Sequence, residues 1–226
     1  QGSSGTLISG AALKLLRAQD PISETEGFKQ YVKPEPGHQY AIVADVSRGK
    51  GLDHSAFSVI DISSMPFNQV AVFRDNFITP TDYASFIYRI SMMYNEAHVL
   101  VEINDIGGQV ADTLFLDYGI ETLLFTENAG MKGKKITGGF SGKKMDRGIR
   151  TTKTVKNVGC SLLKLMVEQH QLIINDMDTI EELSRFSKKG ATYQAEPGWH
   201  DDLAMGLVLF AWLSNQQFLK DINNIN

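Results

Sequence analysis

Three acidic residues lie against or inside apolar stretches, and this limits the folds that the chain can adopt. Asp45 follows the apolar residues 40–44, and Glu102 lies within the apolar run 99–103. Asp202 comes directly before the longest apolar run of the sequence. A buried carboxylate is costly unless something offsets its charge. We therefore expect a fold that brings these acids to one place, where a cation can offset their repulsion.

The spacing of apolar residues predicts the element order β-β-β-α-β-α-β-α, followed by further helices. The continuous hydrophobicity of residues 98–103 is typical of a central strand covered on both faces. Strands are predicted at 40–46, 55–62, 68–74, 98–103, 121–125 and 172–174, and helices at 80–94, 108–117, 151–169, 177–186 and 201–213. The order predicts an α/β fold, a mixed sheet with helices on both faces, and it resembles that of the ribonuclease H-like fold.

The length of 226 residues suits one domain with short appendages. Residues 1–39, interrupted by prolines and glycines, are predicted to form a linker with one short helix. Residues 40–214 are predicted to form the domain, and 215–226 a polar tail. The single cysteine, Cys160, excludes an internal disulfide and is expected to be a small buried residue. No apolar run approaches the ~20 residues of a membrane-spanning helix, so no membrane partner is expected.

Positive charge is concentrated in one segment, although the net charge of the chain is −4. Residues 131–156 hold nine of the 22 basic residues and one of the 26 acids, which leaves 13 bases and 25 acids elsewhere. A basic strip on an acidic body is typical of a phosphate-binding surface. The alternative is a solvated glycine-rich loop. The candidate DNA-binding residues are Lys132, Lys134, Lys135, Lys143, Lys144, Arg147 and Arg150.

An all-carboxylate set favours Mg²⁺, because hard cations choose oxygen ligands. Two such ions ~3.5–4 Å apart can activate a water and stabilise the leaving oxygen of a phosphodiester. We expect Asp45, Glu102 and Asp202 to hold two Mg²⁺ ions, with Mn²⁺ able to substitute. The sequence has no CxxC or similar zinc spacing.

Each acid also has a structural interpretation. Asp45 could end a strand and accept hydrogen bonds from the next turn, and Glu102 could form a structural ion pair. Asp201 or Asp202 could cap the last helix, where acids are favoured. His200 could orient a water or a phosphate, or be an exposed histidine beside a cap.

Three segments carry a resemblance to a known family. They are residues 44–56 (ADVSRGKGLDHSA), 101–107 (VEINDIG) and 198–205 (GWHDDLAM). Residues 156–164 (KNVGCSLLK) also resemble that family. The chain is similar, from about residue 1 to 213, to the C-terminal nuclease domain of the large terminase subunit of tailed bacteriophages. That subunit is the DNA-packaging motor, and the likeness is greatest to T-even-type phages.

The resemblance implies an endonuclease that cuts double-stranded viral DNA concatemers during packaging, with little sequence preference. It implies that Asp45, Glu102 and Asp202 are the catalytic acids and that Asp201 lies beside the metals. It also implies partners: the portal protein, the small terminase subunit and an N-terminal ATPase domain absent from this sequence, all acting at the procapsid in the host cytoplasm. The chain has no GxxxxGK[ST] motif, in agreement. The basic glycine-rich loop at 130–148 is longer than expected.

Other functions remain open at this point. A Holliday-junction resolvase or a ribonuclease H would share the fold and differ in substrate. A non-catalytic DNA-clamping module would use the basic segment and keep the acids for structure. A sugar-kinase or actin-like ATPase would need a second copy of the fold, for which the chain is too short.

Overall fold

A computed structural model describes residues 5–48, 54–130, 133–137 and 144–224. The helices and strands are, in chain order, α1 (Gly10–Leu13), β1 (Ser23–Thr25), β2 (Phe28–Gln30), β3 (Tyr40–Asp45), β4 (Ser55–Asp61), β5 (Phe67–Asp75), α2 (Pro80–Met93), β6 (His98–Val101), α3 (Gly107–Leu116), β7 (Phe125–Asn128), β8 (Lys134–Thr137), β9 (Met145–Arg147), α4 (Lys153–Glu168), β10 (Leu172–Ile173), α5 (Met177–Arg185), β11 (Phe186–Lys189), β12 (Thr192–Ala195), α6 (Asp202–Ser214) and α7 (Gln217–Asn224).

The main sheet is mixed. Within the described residues it has seven strands, six of them in the order β1-β2-β5-β4-β3-β6, while β10 pairs with β5. The strands β3, β4 and β5 form an antiparallel meander, as the short connections between them predict. The strand β6 returns beside β3 in parallel, after the helical crossover that such a pairing requires. The predicted mixed sheet is therefore confirmed.

Helices cover both faces of this sheet, and the alternation of side chains in β3 shows how. Ala41 and Val43 pack in a cluster with α4 and α6. Tyr40, Ile42 and Ala44 point the other way and pack with α2 and α3. Successive strand residues face opposite sides, so the apolar run of β3 reflects burial on both faces.

The helix α6 lies at the centre of one layer. Every residue from Leu203 to Leu213 is buried, which explains why this helix has no polar face. It packs on β3, β4 and α4. The layer thereby places the beginning of α6, with Asp202, near the sheet. Among the described residues, no helix combines the length and the apolar character needed to cross a membrane.

The chain ends differ from the sequence prediction. Residues 23–30, predicted to belong to a linker, form β1 and β2, and β2 pairs with β5. Leu7, Ile8 and Tyr31 are buried in the core. The predicted polar tail contains α7, whose Leu219 is buried. These short elements are stabilised by long-range packing and carry little periodicity of their own.

The basic segment also differs from the predicted loop. In the described residues, β7, β8 and β9 form a small antiparallel sheet of order β8-β7-β9. Of the predicted strand 121–125, Leu123 forms a parallel bridge with Val99 of β6, and the strand β7 begins only at Phe125. A β11–β12 hairpin, which the sequence did not indicate, follows α5. Both sheets are short, polar and rich in lysine, so their alternation is weak.

Candidate active site

The register of β3 and β6 places Asp45 and Glu102 on the same face of the sheet. Ala44 pairs with Val101, so the next residue of each strand is also aligned. Asp45 continues the face of Val43, and Glu102 that of Leu100, both of which pack against the α6 layer. The amide of Glu102 donates to the carbonyl of Ala44 at 2.8 Å. The two acids therefore end adjacent strands, side by side.

Asp202 reaches this face from the first turn of α6. Asp201 occupies the N-cap position but makes no side-chain capping hydrogen bond to that helix. Its Oδ2 accepts instead from the amide of Ala195 at 2.9 Å. The cap of α6 comes from α5, where Glu182 Oε2 accepts from the amides of Leu203 at 2.8 Å and Ala204 at 3.0 Å. The capping role considered for Asp201 and Asp202 thus belongs to Glu182.

The acids line one cavity of about 420 Å³. Its walls include Asp45, Glu102, Asp201 and Asp202, together with Ser47, Arg48, His54 and Asn104. Burial, the neighbouring Glu102 and the charge of Asp202 raise the pKa of Asp45 well above its usual range, although the amide of Val46 bonds to its carboxylate. Negative charge is therefore crowded here, as the sequence predicts.

Neighbouring groups hold the two strand acids in place. The Asn104 Nδ2 group donates to Glu102 Oε1 at 3.0 Å. The hydroxyl of Tyr83 lies within hydrogen-bonding distance of the carbonyl oxygens of Asp45 and Ala56, at 3.1 and 2.7 Å. A Cβ atom on Gly107 would lie 1.8 Å from the carbonyl oxygen of Glu102. Helix α3 can begin this close to Glu102 only because that position is glycine.

Two histidines, His54 and His200, also lie at the site, and neither was predicted as a metal ligand from the sequence. The Nδ1 atoms of His54 and His200 lie 3.3 and 3.9 Å from Asp202 Oδ2. His54 directly precedes β4, and Ala56 of that strand pairs with Asp45. The hairpin register could therefore have indicated His54. His200 is two residues before Asp202 in the chain.

The salt bridge between Arg48 and Asp105 lies at the mouth of the cavity. The guanidinium contacts both carboxylate oxygens of Asp105, and both residues line the cavity. This bidentate geometry orients the guanidinium plane. Arg48 thereby adds a positive group to the edge of an otherwise acidic cavity.

Most of the candidate DNA-binding residues that the structure describes have acidic partners. Lys134 and Lys135 lie 2.7 Å from Asp146 and Glu127 respectively. Arg147 lies 2.7 Å from Asp112, and Arg150 is 3.9 Å from Asp146. Lys144 is exposed. Lys132 and Lys143 lie outside the described residues. The basic charge of this region is therefore partly balanced by acids of the small β8-β7-β9 sheet and of α3.

The donor set of the cavity fits a divalent cation. Oxygen ligands from Asp45, Glu102 and Asp202 are those that Mg²⁺ prefers. Burial, together with the neighbouring charges of Glu102 and Asp202, raises the pKa of Asp45, and a bound cation would stabilise its ionised form. The side chains of Asp45, Glu102 and Asp202 lie farther apart than those of a second group, which consists of two histidines and Asp202. Among the described residues, the three metal-ligating side chains whose ligand atoms all lie within 4.8 Å of one another are His54, His200 and Asp202.

A mixed sheet in this strand order, with acids at the ends of β3 and β6, defines the ribonuclease H-like class of α/β folds. The family model described as "Terminase RNaseH-like domain" matches residues 42–211, about three quarters of the chain. The protein therefore belongs to that family.

Solved structures of phage proteins share this fold. The large terminase nuclease from thermophilic phage G20c with bound magnesium is 22% identical, with a TM-score of 0.70 over 95% of this chain and 100% of that one. The same nuclease with bound cobalt is 22% identical, with a TM-score of 0.69 and the same coverage. The Thermus phage P74-26 large terminase nuclease domain is 23% identical, with a TM-score of 0.63 over 88% of this chain and 91% of that one. At these identities the likeness is one of fold, and the kinship to T-even-type phages stays a prediction.

Proposed function

We propose that this chain is a metal-dependent endonuclease that cuts double-stranded DNA concatemers during viral genome packaging, with little sequence preference. The observation that carries the proposal is the convergence of Asp45, Glu102 and Asp202 on one cavity from two adjacent strands and one helix. Family membership supports the packaging context. Magnesium-bound and cobalt-bound forms of a nuclease with the same fold support the use of divalent cations.

The carboxylates of the cavity would serve as the metal ligands. Asp45, Glu102 and Asp202, which line one cavity, would together hold two divalent cations, with Asp201 beside them. Bound Mg²⁺, or Mn²⁺ in its place, would activate a water for in-line attack and stabilise the leaving oxygen. Asn104 orients Glu102 through its amide, and Tyr83 holds the backbone at Asp45. Preorganised ligands of this kind keep the reacting groups aligned.

The DNA backbone would lie across the mouth of the cavity and along the basic segment. Phosphate contacts position a duplex without reading its sequence, which agrees with cleavage of little sequence preference. Among the described candidate residues, Lys144 and Arg150 would make such contacts most readily, because both are exposed and the acidic neighbour of Arg150 is 3.9 Å away. An N-terminal ATPase domain, the portal protein and the small terminase subunit would complete the motor at the procapsid in the host cytoplasm, as in T-even-type phages.

Plasmid cleavage tests the proposal. The chain should nick and linearise supercoiled plasmid in Mg²⁺ or Mn²⁺ and stop when a chelator is added. Asp45→Asn should abolish cleavage while the circular dichroism spectrum stays unchanged, because the variant keeps the shape of the side chain and removes its charge. The matched control is Asp117→Asn, an exposed acid at the far end of α3, which should cleave normally. Cleavage retained in Asp45→Asn would refute the assignment.

The choice of substrate separates the alternatives. A branched junction or an RNA–DNA hybrid cut in preference to plain duplex would favour a resolvase or a ribonuclease H. DNA binding without cleavage in any divalent cation would favour a clamping module.

A further inference from the structure

We propose that His54, His200 and Asp202 form a binding site for a first-row transition cation such as Zn²⁺ or Co²⁺, distinct in its ligands from the all-carboxylate set. Asp202 belongs to both sets, whereas Asp45 and Glu102 belong only to the acidic one. The inference goes beyond the proposed function, since the site can exist whether or not the chain cleaves DNA.

The geometry of the three side chains supports the site. Their ligand atoms all lie within 4.8 Å of one another, and the Nδ1 atoms of His54 and His200 are 3.3 and 3.9 Å from Asp202 Oδ2. Metal–ligand bonds of ~2.0–2.2 Å place the donor atoms of a tetrahedral site about 3.4 Å apart. Small rotations of the imidazoles therefore suffice to enclose an ion.

The fold orients both imidazoles from separate elements. His54 leads into β4, while His200 and Asp202 flank the beginning of α6. The two rings meet edge to face, with centroids 4.5 Å apart and an interplanar angle of 86°. The His54 and Asp202 side chains are only 18% and 13% exposed, and His200, at 42%, forms the outer side. The packing of the rings limits their rotation and keeps their nitrogens near Asp202.

The chemistry of the ligands selects the cation. Imidazole suits Zn²⁺ and similar transition cations, whereas Mg²⁺ requires oxygen ligands in octahedral geometry. Two histidines and one carboxylate supply three protein ligands, and the exposed side at His200 leaves a position for water or another small ligand. The imidazole set should therefore favour transition cations over Mg²⁺ more strongly than the acidic set does.

Cobalt absorption of the DNA-free protein tests the site without any reference to activity. The 226-residue chain, stripped of metal by a chelator, should develop a visible d–d absorption on titration with Co²⁺, and an equal concentration of Mg²⁺ should not remove it. His54→Gln and His200→Gln should each weaken this binding by about tenfold or more, since even partners outside the ligand shell contribute 10–100-fold. Asp45→Asn should retain the absorption.

The matched control is His170→Asn, an exposed histidine between α4 and β10 in left-handed backbone, which should leave Co²⁺ binding unchanged. A second measurement needs no variant. On addition of Zn²⁺, the imidazole ¹⁵N signals of His54 and His200 should shift, and those of His38, His98 and His170 should stay in place.

Two results would overturn the inference: unchanged Co²⁺ affinity in both histidine variants, or ¹⁵N signals of His54 and His200 that Zn²⁺ does not move. A protein that cleaves plasmid but shows either result refutes this site alone. A protein that binds Co²⁺ through the histidines but cleaves no DNA refutes only the nuclease proposal.

Discussion

The buried Glu182 should make the stability of the protein depend on pH. Its side chain, 7% exposed, lies 3.3 Å from Arg74 and accepts the amides of Leu203 and Ala204. Burial outweighs these favourable contacts and raises the pKa of Glu182 to about 7. Between pH 4.5 and about pH 7, Glu182, which caps α6, is therefore protonated in the folded state and ionised in the unfolded state.

The sign and size of the effect follow from that difference. An acid whose pKa is raised by folding binds its proton more tightly in the native state, so the free energy of unfolding falls as pH rises between the two pKa values. The shift from 4.5 to about 7, at 1.36 kcal/mol per pH unit, corresponds to about 3 kcal/mol. Most of this loss falls between about pH 5 and about pH 8.

The substitution Glu182→Gln removes the titration and keeps an oxygen that can accept the two amides. Urea unfolding of both proteins, with chelator present, at about pH 5 and about pH 8 isolates the effect. The stability of the variant relative to the original chain should increase by about 2–3 kcal/mol between these pH values. Any constant cost of placing an amide beside Arg74 cancels in that comparison. A difference that is the same at both values would mean that Arg74 and the amides keep Glu182 ionised, and the reasoning would be wrong.

Three further changes test other parts of the structure. Gly107→Ala places a Cβ atom 1.8 Å from the Glu102 carbonyl oxygen. It should reduce plasmid cleavage and lower the free energy of unfolding by about 1–3 kcal/mol. The control Gly108→Ala, where nothing lies within 4 Å of the new Cβ, should leave cleavage intact. Gly159→Ala meets a backbone carbonyl of α6 at 2.4 Å, so thermal unfolding should show a lower Tm despite the better helix propensity of alanine, worth only about 1 kcal/mol. Lys144→Ala should weaken DNA binding equally for all sequences and reduce its salt dependence by about one unit of slope, whereas an unchanged slope would exclude a phosphate contact.

The placement of the acids could be predicted from the sequence because it depends on strong local patterns. The apolar runs ending at Asp45 and Glu102 predict buried strands, and parallel neighbours in a mixed sheet bring such ends together. The uniformly apolar stretch after Asp202 predicts a buried helix. What the sequence could not supply is Glu182, since a cap given by one helix to another depends on packing distant in the chain.

The parts that differed from prediction are those whose stability comes from long-range pairing. The strands β1 and β2 each have three residues, too few for periodicity to appear. In the basic segment, β8 and β9 each pair with β7, and Lys134 and Lys135 contact acids of β9 and β7; glycine and lysine composition alone cannot indicate this pairing. Its DNA-binding role remains a prediction. The close ion pairs of Lys134, Lys135 and Arg147, all at 2.7 Å, leave as stronger candidates the exposed Lys144 and Arg150, of which Arg150 is 3.9 Å from Asp146.

The location of the acidic cavity follows from where the apolar core ends. Asp45 and Glu102 are the first polar residues after the buried strand segments 40–44 and 99–101, and Asp202 precedes the buried residues 203–213 of α6. At such a boundary a carboxylate retains some contact with solvent, and at the beginning of α6 the partial positive charge of the helix favours it. The remaining free-energy cost of ionising buried, neighbouring carboxylates raises the pKa of Asp45, and a bound divalent cation would lower that cost. The same core that makes the fold stable therefore makes this edge of the sheet suited to metals.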